Sequence, residues 1–279
     1  MKKIKRRIKW KNVFLLLFIL ACIIIVICSL ISLIKWFYSV HKNNSQIKTV
    51  QNIVEVVETI DTEETEIIVQ EDISKDSPYW KYIEMNLINV DFEELKKINN
   101  STVGWIQVNG TNINYPFVQT DNNEFYLDHA FDKSYNSAGW VFMDYRNDIT
   151  IDKNTILYAH SMKNKTMFGS LKNILNDEWL KNTDNHIIKI STEAENSLWQ
   201  VFSIYHIETT TDYLQTSFIS DDTFYDFANM LLNRSNFVFN TSISKEDRIL
   251  TLSTCYSDTE KMVLHAKLIK KENKKDTLN

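Results

Sequence analysis

The chain has 279 residues, which is long enough for one large globular domain and an N-terminal targeting segment. Removing the seven basic residues among the first 11 leaves 24 Lys and Arg against 36 Asp and Glu, a formal charge near −12. That acidity disfavours nucleic acid as a partner and is typical of a soluble surface. The six histidines lack the paired spacings of a structural zinc site, so we predict no metal and no cofactor.

The 22 residues from 13 to 34 contain no charge and form a predicted transmembrane helix. At roughly 1.5 Å per residue they span about 33 Å, which matches the hydrocarbon core of a bilayer. Basic residues cluster before this segment and only Lys35 follows it closely, so the positive-inside rule predicts a cytoplasmic basic tail over 1–12 and an extracytoplasmic domain. A cleaved signal peptide and a lipoprotein signal at 19–22 are the alternatives, and the length of the apolar run disfavours both.

Residues 35–78 are polar and increasingly acidic. We expect an extracytoplasmic stalk there, with a disordered spacer as an equal alternative. A globular domain is expected over 79–270, followed by a charged, frayed tail over 271–279.

The globular segment opens with a short predicted helix over 91–98, whose acidic residues come first and whose lysines come last. Beyond it the apolar pattern becomes that of β-strands. Two strands, over 104–108 and 113–118, flank Asn109-Gly110, a dipeptide typical of hairpin turns. The further predicted strands cover 140–143, 155–159, 186–190, 198–205, 248–252 and 262–269. This number of strands predicts a barrel or a sandwich.

Two helices interrupt the strands, over 167–180 and 221–234. Asp221 or Asp222 can cap the second helix. Its apolar residues form one face that we expect to pack on the barrel: Phe224, Phe227, Met230 and Leu231.

Cys255 is the one cysteine outside the apolar segment, so it has no partner for a disulfide. An unpaired thiol after a strand-like run is typical of a nucleophile. A free thiol has a pKa of about 8.5 and is mostly protonated at neutral pH, so it needs a nearby base or cation. His160 follows the predicted strand 155–159 and opens a loop, where it is the candidate base.

Several sequence segments resemble the sortases, and class B most closely. Three carry the resemblance: Tyr158-Ala159-His160-Ser161-Met162, Met167-Phe168-Gly169-Ser170-Leu171 and Thr251-Leu252-Ser253-Thr254-Cys255. Further matching segments lie at 103–106, 111–119, 126–129 and 142–146. The helix over 221–234 resembles the class B insertion. The resemblance extends from about residue 91 to residue 269.

The resemblance implies a mainly β fold, with a closed eight-stranded sortase-type barrel and peripheral helices behind the transmembrane helix. It also implies a membrane-anchored cysteine transpeptidase on the outer face of a Gram-positive-type cell. Such an enzyme attacks the bond after Thr in a C-terminal sorting signal, and an amine of a peptidoglycan precursor resolves the thioacyl intermediate. Cys255 matches the nucleophile and His160 the general acid/base. The implied partners are sorting-signal peptides, the acceptor amine and the membrane, and no calcium is expected.

The chain departs from the family at the arginine on the strand after the cysteine, because Lys261 occupies that position and the loop from Cys255 is shorter than usual. Lysine keeps the positive charge but loses the planar two-pronged donor, so it stabilises an oxyanion only as a point charge. Three outcomes are open: Lys261 substitutes with reduced efficiency, Arg234 or Arg248 reaches the site, or the enzyme is impaired. Arg248 lies roughly 20 Å from Cys255 along an extended chain, which disfavours it.

The resemblance further implies a peptide groove lined by Leu127, Thr209, Tyr213, Leu214 and Ser253. Ser253 lies two residues before Cys255, on the same face of its strand. Tyr213 is the expected aromatic wall, whereas Leu127 fits ordinary core equally well. Three other matching positions are interpreted as structural: His129, Asp144 and His265.

Two other functions remain open. Lys261 is compatible with a catalytically silent sortase-like module that binds sorting-signal peptides. The second is a pilus-polymerising sortase, in which a protein lysine replaces the cell-wall amine.

Overall fold

The structure is a computed structural model that describes residues 9–68 and 73–274. The chain divides into two compact units, residues 1–42 and 43–279. The first unit contains most of helix α1 (Trp10–Ile53), and the predicted span 13–34 lies wholly inside this helix. Within the described ranges, α1 is the one helix long and apolar enough to cross a membrane. The basic residues before Lys9 lie outside the described residues.

The second unit is built mainly from β-strands. These are β1 (Val56–Thr59), β2 (Thr65–Ile67), β3 (Leu87–Val90), β4 (Thr102–Val108), β5 (Asn114–Val118), β6 (Phe142–Met143), β7 (Asn154–Tyr158), β8 (Ile187–Ser191), β9 (Glu195–Glu208), β10 (Ile249–Cys255) and β11 (Glu260–Asn273). The helices are α2 (Tyr79–Ile83), α3 (Glu93–Ile98), α4 (Asp177–Lys181) and α5 (Asp221–Asn233), and 3₁₀ helices cover Phe125–Leu127, Phe168–Leu175 and Thr183–Asn185.

Eight of these strands close into a barrel. The order is β10-β7-β6-β5-β4-β8-β9-β11, and β11 pairs back onto β10 to complete the circle. The pairs β5–β6 and β7–β10 are parallel and the other neighbours are antiparallel. The predicted closed eight-stranded barrel is therefore confirmed. Strand β2 extends the sheet by pairing with the C-terminal part of β11.

The predicted strands all appear, with shifted ends. Strands β9 and β11 each run for 14 residues, longer than predicted, because the residues at their ends are mostly polar and fall outside the apolar pattern. Asn109-Gly110 begins a connection over 109–113 that is longer than a two-residue turn. Gly110 has a φ of +68°, which favours glycine. The predicted frayed tail is strand up to Asn273, and residues 275–279 lie outside the described part.

Two helix expectations need correction. The predicted helix over 167–180 is a 3₁₀ helix followed by the short α4, because Asn176 has extended backbone (φ −80°, ψ 142°) and interrupts the helix. Helix α5 is capped by Ser220 instead of Asp221 or Asp222. The Ser220 side chain accepts from the backbone N–H of Thr223, whose own side chain completes a capping box.

The segment predicted as a stalk also differs, because its residues from Asn43 onward belong to the second unit. Val50 and Val54 are buried in the main core. The acidic residues bind lysines of the barrel strands: Glu58 lies 2.9 Å from Lys189 and Asp61 lies 2.6 Å from the fully buried Lys270. Sequence patterns hide this packing, since each charge has its partner far along the chain.

Alternation along β10 and β11 separates two cores. Inward-facing residues such as Leu252 and Leu264 belong to the barrel interior. Outward-facing residues such as Val263 pack under α5, with Phe224 and Leu231 of that helix. The outward face of this strand pair is therefore covered in its middle and open at its end, where the candidate site lies.

Candidate active site

Cys255 is the last residue of β10. Every other residue of that strand is buried, whereas Cys255 is exposed and its thiol is free. The hydroxyl of Thr254 donates to the carbonyl of Ala159 at 2.7 Å and so ties the end of β10 to the segment after β7. The strand thus holds an accessible thiol at a fixed position at the end of the barrel.

Lys261 faces Cys255 directly across the β10–β11 pair. Its Nζ lies 3.3 Å from the Cys255 Sγ, so the ammonium contacts the sulfur. The connection between them is short, and Thr209 fastens it, because both its backbone N–H and its hydroxyl donate to the carbonyl of Thr259 at 2.9 Å. A positive charge therefore lies where a thiolate or an oxyanion carries negative charge.

His160 approaches the same barrel end from the parallel neighbour of β10. Tyr158 pairs with Ser253, and His160 and Cys255 each lie two residues further along their chains. Neighbouring strands lie about 4.8 Å apart, so this register brings the two side chains to the same end and the same face. The Nε2 of His160 lies 2.7 Å from the carbonyl oxygen of Leu127. A carbonyl oxygen can only accept, so Nε2 carries the hydrogen and donates it. The imidazole is therefore anchored by Leu127, with Nδ1 as its unprotonated nitrogen when neutral.

The predicted groove residues divide between exposed and buried positions. Leu127 is 41 % exposed, although its carbonyl holds His160. Tyr213 is only 1 % exposed, and its hydroxyl shares a 3.0 Å hydrogen bond with Ser253. Burial raises the pKa of Tyr213, so this hydroxyl is neutral. Leu214 is half-buried, and Thr209 is exposed beside the Cys255–Lys261 connection.

Comparisons with known proteins agree with this geometry. The family model of the sortase domain matches residues 106–269. Sortase B of Staphylococcus aureus is 36 % identical over 188 residues, which cover 66 % of this chain and 76 % of that protein. The crystal structure of sortase B from Bacillus anthracis aligns with a TM-score of 0.66 at 32 % identity, over 84 % of this chain and 99 % of the other. A Staphylococcus aureus sortase B–substrate complex aligns with a TM-score of 0.60 at 36 % identity, over 64 % of this chain and 84 % of the other.

The chain belongs to the sortase family. The relatives named above are all sortase B proteins, so the class B resemblance seen in the sequence is confirmed. Sortases are cysteine transpeptidases, and the free thiol at the end of β10 fits that chemistry.

The two arginines considered as substitutes for the sortase arginine are both engaged elsewhere. Arg234 makes two hydrogen bonds, of 2.9 and 2.6 Å, to the carboxylate of Asp212. Arg248 precedes the first residue of β10 and bonds the carbonyl of Ile149, at the opposite end of the strand from Cys255. Of the three candidates, Lys261 alone contacts the thiol in the described structure.

A further arginine near the groove was missed as a site residue. Arg146 makes two hydrogen bonds to the fully buried Asp144 and a third, of 3.0 Å, to the carbonyl of Leu214. Burial raises the pKa of Asp144, but hydrogen bonds from Arg146 and from Tyr158 outweigh it and hold the pKa below its usual range. The segment 142–146 resembles the family in sequence. Its contact with the groove depends on the fold, so the sequence does not reveal it.

Three residues interpreted as structural have hydrogen-bond partners other than the thiol. Asp144 serves the contacts above, and His129 bonds the carbonyl of Phe125 at 2.8 Å. His265 is fully buried between Thr251 and Tyr205. Among residues 9–68 and 73–274, no group of three or more His, Cys, Asp or Glu side chains is placed to hold a metal ion.

Proposed function

We propose that this sortase cleaves a C-terminal sorting signal after Thr and transfers the surface protein to an amine of a peptidoglycan precursor. Cys255 is the nucleophile, His160 the general acid/base and Lys261 the electrostatic partner. The observation that carries the proposal is the 3.3 Å contact between the Lys261 Nζ and the Cys255 Sγ, at the barrel end that His160 also reaches.

In the first half of the reaction, the Cys255 thiolate attacks the carbonyl carbon of the Thr residue. The ammonium of Lys261 stabilises the negative charge that moves from the sulfur to the carbonyl oxygen. The His160 imidazolium gives its proton to the departing amine, so the peptide C–N bond breaks and a thioester remains on Cys255.

In the second half, neutral His160 accepts a proton from the incoming amine, which attacks the thioester carbon. The C–S bond breaks, the new amide forms and the Cys255 thiolate returns beside Lys261. The proton that His160 lost in the first half is restored in the second, so the cycle needs no external acid or base.

The peptide groove runs along the outward face next to the thiol. Leu127 and Leu214 offer apolar surface to the peptide, and Thr209 and Ser253 flank the nucleophile. Tyr213 is too buried to form much of the exposed wall, so it supports the wall from inside. Tyr213 was expected to be the aromatic wall, and its burial supports a position behind the exposed wall instead.

The enzyme is anchored by the apolar part of α1, with the N-terminus in the cytoplasm and the barrel outside. The exposed apolar side chains of α1 and the excess of basic residues before it support this topology. The stretch from about residue 43 to residue 68 is part of the catalytic unit, so the linker to the membrane is shorter than the predicted stalk.

The test uses residues 43–279, which form one compact unit, with quenched peptides carrying NPxTx and PxTG motifs and with hydroxylamine as a simple amine acceptor. Mass spectrometry of the products should show cleavage after Thr and a hydroxamate on the Thr carboxyl. Cys255→Ala should abolish both products. Binding of the peptides without any product, in the wild type and in Lys261→Arg, would instead support a silent binding module.

A further inference from the structure

Residues 212–215, here named the wall segment, lie next to the groove and have neither helical nor strand structure. Each of the four residues is nevertheless bound to a neighbouring element. The bonds are Arg234 to the Asp212 carboxylate (2.9 and 2.6 Å), Tyr213 to Ser253 (3.0 Å), Arg146 to the Leu214 carbonyl (3.0 Å) and Asn154 to the Gln215 carbonyl (2.8 Å). Each residue of this irregular segment is thus held by a hydrogen bond, which implies that the segment needs one defined shape.

The two ends of the wall segment are connected through His265 in the middle of β11. His265 is fully buried, and its two ring nitrogens have different partners. The Nδ1 lies 2.9 Å from the hydroxyl of Thr251, and the Nε2 lies 2.9 Å from the hydroxyl of Tyr205. Thr251 donates to Asn154, which holds the end of the wall segment. Tyr205 lies near Arg234, which holds Asp212 at its start.

The direction of each hydrogen bond in this network follows from Asn154, at one end of it. The side-chain NH₂ of Asn154 donates to the carbonyl of Gln215. The Oδ1 of Asn154 therefore accepts a hydrogen bond from the Thr251 hydroxyl, with 2.8 Å between the two oxygens. The Thr251 oxygen therefore accepts from the Nδ1–H of His265. The Nε2 of His265 is then the acceptor for the Tyr205 hydroxyl.

The network ends beside Arg234. The Tyr205 hydroxyl donates to His265 and lies near the guanidinium of Arg234, which holds Asp212. Hydrogen bonds through His265 therefore run from Gln215, at the end of the wall segment, to Tyr205, near the arginine that fixes its start. A neutral His265 is required for these bonds. Burial, with the nearby charge of Arg234, lowers the pKa of His265 to about 3, which is consistent with that state.

The wall segment is attached to the strand of the nucleophile. Ser253, which holds Tyr213 of the wall segment, is two residues from Cys255 on the same face of β10. A displaced wall segment would therefore change the surface on which the peptide lies, without moving the thiol or Lys261 on their own strand pair. Fixing such a surface before binding reduces the ordering cost of association.

We propose that Arg234 and His265 are positioning residues that hold the wall segment in its peptide-binding shape, Arg234 through Asp212 at its start and His265 through Thr251 and Asn154 at its end. This inference rests on the proposed function, because it assigns the wall segment to binding of the sorting-signal peptide. It predicts an effect on peptide affinity that is separate from the chemistry at Cys255.

The test compares His265→Gln and Arg234→Lys with His186→Gln in the full chain in detergent. The amide of glutamine cannot place its donor and its acceptor at the positions of both ring nitrogens of His265, and lysine lacks the two-pronged donor that binds Asp212. His186 is the matched control, since it is also buried but bonds the Leu180 carbonyl, away from the wall segment. Three quantities are measured: amide hydrogen exchange over residues 211–216, KM and kcat for a sorting peptide, and the alkylation rate of Cys255 by iodoacetamide.

His265→Gln and Arg234→Lys should each speed exchange in the wall segment and raise KM by about tenfold, the size expected for one lost buried hydrogen bond. The kcat and the alkylation rate should stay within about twofold. His186→Gln should leave exchange in the wall segment unchanged. The inference is overturned if exchange there matches the control, or if kcat falls while KM stays constant. A wild type that cleaves no peptide would refute the proposed function, and the exchange comparison would then decide this inference by itself.

Discussion

The strand pair β10–β11 contains two contrasting regions on one outward face. At its end, Cys255 faces Lys261, where an exposed thiol meets an ammonium. In its middle, Thr251 faces His265, and both are fully buried and joined by a neutral hydrogen bond. Both regions belong to the same strand pair, so their access to solvent decides which groups are stable there. Water solvates a charge at the open end, whereas the covered middle holds hydrogen-bonded, neutral groups.

The largest expected effect lies at the open end. Lys261→Ala removes the charge that opposes the developing oxyanion, so kcat/KM should fall by about 100-fold or more, with little change in stability. Lys261→Arg restores a planar donor and should keep or raise the rate. Both are measured by steady-state peptide cleavage, with urea unfolding as the stability check. An Ala variant as active as the wild type would remove Lys261 from the mechanism.

The buried middle should respond through stability and pH instead. The pKa of His265 is lowered to about 3 in the folded chain, because burial disfavours the charged ring. Between that value and about 6.5 the unfolded chain binds a proton that the folded chain does not, so stability is full above about pH 6.5 and falls as the pH falls, by up to about 1.4 kcal/mol per unit.

This prediction is checked by urea unfolding of the wild type and His265→Gln at pH 7, 6 and 5. The carboxylates contribute equally to both chains, so the difference in slope reports His265 alone. Identical slopes would mean that the imidazole of His265 is solvated or charged in the folded chain. The contrast between the two regions would then fail.

A smaller effect is expected at Lys270, a buried lysine of β11. Lys270 has no exposed side-chain surface and bonds Asp61 at 2.6 Å and the Ile83 carbonyl at 2.7 Å. Asp61→Asn should lower the free energy of unfolding by about 1–2 kcal/mol, because Asp61 itself is partly exposed and the buried ammonium loses its counter-charge.

Asp177→Asn is the matched control, since the pair of Asp177 with Lys181 is exposed on both sides. It should cost less than about 0.5 kcal/mol. Equal effects of the two changes would show that residues near Asp61 do not pack on the barrel as described, and would favour the stalk expected from the sequence.

The smallest effect concerns the support of the open end. Thr209→Val removes the hydroxyl bond to the Thr259 carbonyl but keeps the backbone bond to the same oxygen. The rate of peptide cleavage should fall by about fivefold at most, because one neutral hydrogen bond at an exposed site contributes about 1 kcal/mol or less. A loss as large as that of Lys261→Ala would place Thr209 in direct contact with the reacting groups.

The barrel and the thiol were predictable because their signals are local. Alternating apolar residues mark each strand, and the segment that ends at Cys255 carries both a strand pattern and the free thiol. The approach of His160 also follows locally, from its position after β7.

The remaining features depend on partners that are distant in sequence. Asp61 and Lys270 are 209 residues apart, so an acidic segment that looked like a spacer is bound to the barrel. The cap at Ser220 was missed because two aspartates follow it. The hydrogen-bond network through His265 depends on strand register and on the path of an irregular segment, which no sequence periodicity encodes.

The most direct test of the account is to trap the acyl-enzyme. Residues 43–279 are mixed with a sorting peptide without an acceptor amine, quenched in acid and digested, and the digest is analysed by mass spectrometry. The account predicts a thioester-linked fragment ending in Thr on the peptide that contains Cys255, more abundant in the wild type than in Lys261→Ala and absent from Cys255→Ala. Cleavage by Cys255→Ala, or an acyl group on any residue other than Cys255, would contradict it.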